Sequence, residues 1–165
     1  MRSLIFLLLV LGALIIQSTV LHFISIFGVI PDLVLVLAIL NGFLRGTKEG
    51  AFLGFVAGIL QDLVSGGYFG VNAITKMLAG YLAGLGEGRL YRENRFIAAG
   101  LTWLCTFLSE LVYYLLLYMV DVHVSAMPAI FQIILPVSLY NAVAVLIIYG
   151  FYYRSDRSGM LSEGE

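Results

Sequence analysis

The sequence predicts an all-α membrane protein, a bundle of six transmembrane helices that forms one domain over residues 1–165. Hydrophobic residues make up 61% of the chain and charged residues only 12%, whereas a soluble domain is about 25% charged. The apolar residues fall into six runs, and short polar or glycine-rich breaks separate them. Lys and Arg collect in every second break, as in a chain that crosses a membrane repeatedly. These observations place the chain in a lipid bilayer.

The composition also excludes several classes of protein. A chain of 165 residues has too little interior to bury this much apolar surface, and it is too apolar to be disordered. The net charge of −1 excludes a nucleic-acid-binding protein that works by basic charge. The single cysteine, Cys105, excludes a disulfide framework, and two histidines, His22 and His123, are too few to hold a metal. We interpret His22 as an ordinary residue at the membrane surface.

Each apolar run is interpreted as one span, although some are shorter than the roughly 20 residues that a crossing helix needs. The first run follows Arg2 and resembles a signal peptide, but no small-x-small cleavage site follows it, so we expect it to be retained. Pro31 and Asp32 suit the start of the second run, since proline fits the first helical turn and a carboxylate faces the positive helix end. The predicted spans are residues 4–23, 32–44, 51–64, 71–86, 96–120 and 128–153.

The placement of charge decides between five and six spans, because the second and third runs are short enough to be merged. With six spans and a cytoplasmic N-terminus, the outer loops 24–30, 65–70 and 121–127 hold no Lys or Arg. Positive residues favour the cytoplasmic side, so we predict six spans with both termini in the cytoplasm. The basic residues of the inner segments are Arg2, Arg45, Lys48, Arg89, Arg92, Arg95, Arg154 and Arg157.

Glycines recur at every fourth residue on the third and fourth spans. Four residues turn an α-helix by about 400°, so the glycines of each span lie on one face. Small residues at this spacing let helix backbones approach closely, and we predict packing within the chain, with a homodimer or partner-helix interface as the alternative. The predicted packing positions are Gly50, Gly54, Gly58, Gly80 and Gly84, with Gly46 and Gly88 at the ends of the two stripes.

Two charged residues, Asp62 and Lys76, continue these glycine faces toward the outer side of the membrane. A charge in hydrocarbon is costly and usually faces the bundle interior with a partner. The two spans are antiparallel, so packing of their glycine faces would bring the charges together. The sequence therefore predicts a buried Asp62–Lys76 ion pair, with Glu110 as the rival partner for Lys76.

Other polar residues in or near the spans are candidates for contacts between helices or with a partner. Glu110, Asp32 and Gln17 each have a structural and a partner-binding interpretation, and the 121–127 loop is a further candidate contact. Asn41 and Asn141 are interpreted as hydrogen-bonding residues between helices. The chain carries no phosphate-binding loop, nucleophile elbow or His-Glu-x-x-His motif, so we expect no enzymatic activity, cofactor or metal.

The order of the small and polar residues is itself a pattern. Its members are Gln17-Ser18-Thr19, Pro31-Asp32-Leu33, Gly50, Gly54-Phe55, Gly58, Asp62, Gly70 and Gly80-Tyr81. In this set the sequence resembles the bacterial rod-shape-determining protein MreD family over the whole chain. The resemblance implies a non-catalytic inner-membrane subunit of the rod complex, or elongasome, which supports lateral peptidoglycan synthesis and rod cell shape. It implies binding to an MreC-like periplasmic scaffold and, indirectly, to MreB and the RodA–penicillin-binding-protein synthase.

The layout is also similar to the S components of energy-coupling-factor transporters, which bind vitamins and have six helices. A substrate-binding S component is therefore the alternative function. S components typically carry an Ala-x-x-x-Ala motif in the first helix, whereas here Ala13 is followed four residues later by Gln17. The scaffold hypothesis predicts co-purification with a single-span periplasmic protein, and the transport hypothesis predicts a bound vitamin.

Overall fold

The computed structural model describes residues 2–19, 25, 28–122 and 124–157, and these form an all-α fold, as predicted. The end of the first predicted span and His22 lie outside the described residues. The helices are α1 (Arg2–Thr19), α2 (Leu33–Arg45), α3 (Thr47–Ser65), α4 (Val71–Gly84), α5 (Arg95–Met119) and α6, which comprises a turn (Ala126–Pro128), a π-helical segment (Ala129–Ile134) and a long α-helix (Leu135–Arg157).

Two of these helices, Arg95–Met119 and Ala126–Arg154, are long and apolar enough to cross a membrane. The bounds lie close to the predicted spans, except that α3 begins at Thr47, so residues 47–50 are helical rather than part of a loop. The π-helical segment precedes Pro136, which has no N–H to donate to the carbonyl of Gln132.

Helix α2 forms the centre of the bundle. Every residue from Val34 to Leu44 is buried, and α2 packs against all five other helices. It begins at Asp32, whose carboxylate accepts a hydrogen bond from the Leu35 N–H at 3.0 Å. It ends at Gly46, whose φ of +93° disfavours any other residue. Thirteen residues span only about 20 Å, less than the hydrocarbon core, so the ends of α2 need polar partners within the protein.

The glycine faces of α3 and α4 lie against each other. A Cβ atom on Gly80 would collide with the Gly50 carbonyl oxygen, and one on Gly54 with the Lys76 carbonyl oxygen. Gly42 on α2 is equally close to Gly80, a contact that the sequence pattern did not identify. The backbones approach so closely that larger residues could not occupy these positions, as the similar contacts of Gly58 and Gly84 also show.

The end glycines of the two predicted stripes, Gly46 and Gly88, lie outside the helices. Gly46 lies in the break between α2 and α3, where a Cβ atom would collide with the Glu87 carboxylate. Gly88 has a φ of +68° and lies after α4 with open space around it. Extending the α4 stripe to Gly88 was therefore wrong, whereas the Gly46 carbonyl carbon lies only 2.6 Å from the position that a Cβ on Gly84 would take.

Candidate functional site

A buried polar network surrounds the beginning of α2. The Lys76 ammonium forms an ion pair with the Asp32 carboxylate at 2.8 Å, and the two side chains are only 3% and 13% exposed. The Asp32 N–H donates to the Asn141 Oδ1 atom at 2.8 Å, and Gln61 Nε2 donates to Asp32 Oδ2 at 3.4 Å. Asp32 thus joins α2 to α3, α4 and α6.

The predicted direct ion pair between Asp62 and Lys76 is wrong, although both side chains are buried. Asp62 is in the last turn of α3, and its carboxylate reaches the start of α4, where it accepts hydrogen bonds from the N–H groups of Gly70 at 2.8 Å and Ala73 at 3.3 Å. A helix N-terminus presents several unpaired N–H groups, and these satisfy the carboxylate without an ammonium. Lys76 pairs with Asp32 rather than with Asp62 or with the rival candidate, Glu110.

Asn72 connects the two charges that were expected to meet. Its Nδ2 atom donates to Asp62 at 2.8 Å, and its Oδ1 atom accepts from the Lys76 ammonium at 2.8 Å. Asn72 precedes Lys76 by four residues on α4, which places both side chains on one face of the helix. That spacing was visible in the sequence, but sequence analysis did not identify Asn72.

The network continues into α5. Asn141 Nδ2 donates to the Thr106 hydroxyl at 3.4 Å, and the Ser109 hydroxyl donates to the Thr75 carbonyl at 3.0 Å. All four of these residues are buried. Asn141 links helices, as predicted, whereas nothing in the sequence singled out Thr106. Five helices therefore share one hydrogen-bonded layer.

Glu110 lies one turn beyond Thr106 on the same face of α5. The charges of Asp32 and Lys76 act on its carboxylate, but Glu110 forms no hydrogen bond or ion pair within the described part of the chain. Gln17 and Gln61 each bury a side-chain oxygen that has no hydrogen-bond partner among the described residues. In those residues no three His, Cys, Asp or Glu side chains come together as a metal site requires.

A second polar cluster holds the other end of α2. The Arg92 guanidinium donates to the Leu44 carbonyl at 2.9 Å and pairs with Glu87 at 3.0 Å. The Tyr149 hydroxyl donates to the Arg92 carbonyl. Asn41 Nδ2 donates to the Tyr152 hydroxyl at 2.6 Å, so this asparagine also links two helices, as predicted. Sequence analysis used Arg92 only as a marker of topology, because a pairing across the bundle leaves no local pattern.

The arrangement offers hydrogen bonds and ion pairs that hold the helices together. Residues 1–154 match the family model described as rod shape-determining protein MreD. No curated protein and no solved structure matches the chain. Because the family model covers nearly all of the sequence, the chain belongs to the MreD family, the non-catalytic membrane proteins of the elongasome that determine rod cell shape.

Proposed function

We propose that the chain crosses the bacterial inner membrane six times, with both termini in the cytoplasm, and binds the transmembrane anchor of an MreC-like scaffold along α5 and α6. Through that scaffold it would act indirectly with MreB and the RodA–penicillin-binding-protein synthase. The proposal goes beyond membership of the rod complex, which the family supplies. It depends chiefly on one feature, a concave apolar groove between the two long helices.

The groove, called the anchor groove here, has a volume of about 670 Å³. It lies beside the π-helical segment, an irregularity that occurs frequently at functional sites. Helices associate in a membrane through close packing, since lipid tails are as apolar as leucine. A concave surface therefore favours a partner helix more than a flat apolar face does. Its lining residues are Trp103, Phe131, Leu135, Pro136, Leu139, Tyr140 and Val143.

The neighbouring 121–127 loop supports the same position for the partner. Tyr114, Tyr118 and Val124 line a second cleft, of about 540 Å³, between the end of α5 and this loop. An anchor in the groove would continue past this cleft into the periplasm. Asp32 was a candidate for contact with a partner, but its carboxylate pairs with Lys76. We therefore propose that Asp32 stabilises the bundle.

Site-specific photo-crosslinking in cells tests the anchor groove with a matched pair of phenylalanines. Phe131 lines the groove and is 63% exposed, while Phe52 lies on α3 and is 66% exposed. A photoreactive residue at position 131 should crosslink to the single-span scaffold, and one at position 52 should not. Crosslinking at position 52 alone would place the partner on the opposite helices and overturn the proposal.

We also propose that the bundle has the six-helix layout of the S components. Six helices in one bundle support it, while near the start of α2 the Asn141 side chain accepts from the Asp32 N–H and the Asp32 carboxylate pairs with Lys76. The glycine faces are filled by contacts within the chain, so they give no support to a homodimer. Recovery of a stoichiometric vitamin from the purified protein would favour transport over scaffolding.

A further inference from the structure

A separate cleft of about 720 Å³ opens at the Arg92 end of the bundle, between the start of α5 and the last turns of α6. We call it the headgroup cleft. Glu93 and Arg95 provide its charged side, and Leu146, Ile147 and Gly150 provide its apolar side. A site that is charged at one end and apolar at the other fits an amphiphile better than a polar or an apolar ligand.

The two charged residues of the cleft are exposed and free for a ligand. Within the part of the chain that the structure describes, neither Glu93 nor Arg95 forms an ion pair. The Arg95 guanidinium lies 5.3 Å from the centre of the Phe96 ring, which orients it without neutralising it. Arg92, in contrast, is fully engaged by Glu87 and the Leu44 carbonyl.

The apolar side offers a shallow channel along α6. Gly150 has no atom within 4 Å of the position that a Cβ would take, and Ile147 one turn earlier is 77% exposed. Tyr153 and Tyr149 stack with ring centres 5.9 Å apart beside this channel. Tyrosines are typical of the boundary between headgroups and hydrocarbon, so the cleft lies where a lipid headgroup meets its acyl chain.

We propose that the headgroup cleft binds a phospholipid whose headgroup carries both a phosphate and a primary ammonium, as in phosphatidylethanolamine. Arg95 binds the phosphate, because a guanidinium matches phosphate geometry with paired hydrogen bonds. Glu93 accepts hydrogen bonds from the ammonium, and an acyl chain lies along Ile147 and Gly150. Arg95 and Glu93 complement the two charges of this zwitterion. A purely anionic headgroup would leave the Glu93 carboxylate without a cationic partner.

Native mass spectrometry of the full-length protein, released from bilayers with equal amounts of three lipids, tests the proposal. Phosphatidylethanolamine should be retained about tenfold over phosphatidylglycerol, which lacks the ammonium, a factor that corresponds to about 1.4 kcal/mol. It should also be retained over phosphatidylcholine, whose quaternary ammonium carries the charge but has no N–H to donate.

Variants separate the two halves of the headgroup. Glu93→Gln should abolish the preference over phosphatidylglycerol while lipid remains bound, and Arg95→Gln should reduce retention of all three lipids. Arg89→Gln is the matched control, since Arg89 is exposed in the same segment but does not line the cleft. Equal retention of the three lipids, or a preference that Glu93→Gln leaves unchanged, would overturn the proposal. A photoreactive residue at position 147 that crosslinks to a protein segment in place of lipid would also overturn the proposal.

Discussion

Replacing Lys76 by methionine removes the ammonium from the polar network but keeps a side chain of similar length. The change leaves the Asp32 carboxylate and the Asn72 amide oxygen without their donor at 2.8 Å. At that distance two unit charges attract by about 6 kcal/mol with an effective dielectric constant of 20, and desolvation offsets part of this. Breaking a buried pair by removing one partner costs about 3–5 kcal/mol. A loss of this size is a large share of the stability of a typical domain.

The second member of the pair is identified by rescue. Asp32→Asn in the Lys76→Met background removes the stranded charge and should restore much of the stability, whereas Asp62→Asn in the same background should not. The assay is the fraction of monodisperse protein that survives heating in detergent, measured by size-exclusion chromatography of a fluorescent fusion. Rescue by Asp62→Asn but not by Asp32→Asn would refute the assignment of Lys76 to Asp32.

Three further predictions concern packing, topology and cell shape. Gly80→Ala should separate α3 from α4 and destabilise the protein by about 1–3 kcal/mol, while Gly100→Ala, with open space around it, should not; equal melting temperatures would contradict this. Reporter fusions should score periplasmic after Gly28, Gly67 and Ser125 and cytoplasmic after Lys48, Glu93 and Arg157, and a cytoplasmic score after Gly67 would break the six-span topology. Depletion in a rod-shaped host should give rounded cells by microscopy, and unchanged rods in a host without a paralogue would contradict the assignment to cell shape.

The sequence by itself determined the class of protein, the number of helices and the family. These follow from properties that are local in the chain: apolar runs, helix-starting residues such as Asp32, and small residues repeated every four positions. It also indicated that Asp62 and Lys76 are buried, since charges inside apolar runs must face the protein. The start of α3 was placed at residue 51 rather than at Thr47, because a single glycine is enough to separate α2 from α3.

Only the tertiary structure decided which groups meet. Spacing along a helix fixes the face on which Lys76 lies, but the rotation and tilt of neighbouring helices decide whether Asp32, Asp62 or Glu110 faces it. The same holds for Gly42 against Gly80 and for Arg92 on the Leu44 carbonyl. These contacts join residues far apart in the chain, and their geometry depends on how all six helices pack at once. No local pattern records that packing, because it is the joint result of every interhelical contact.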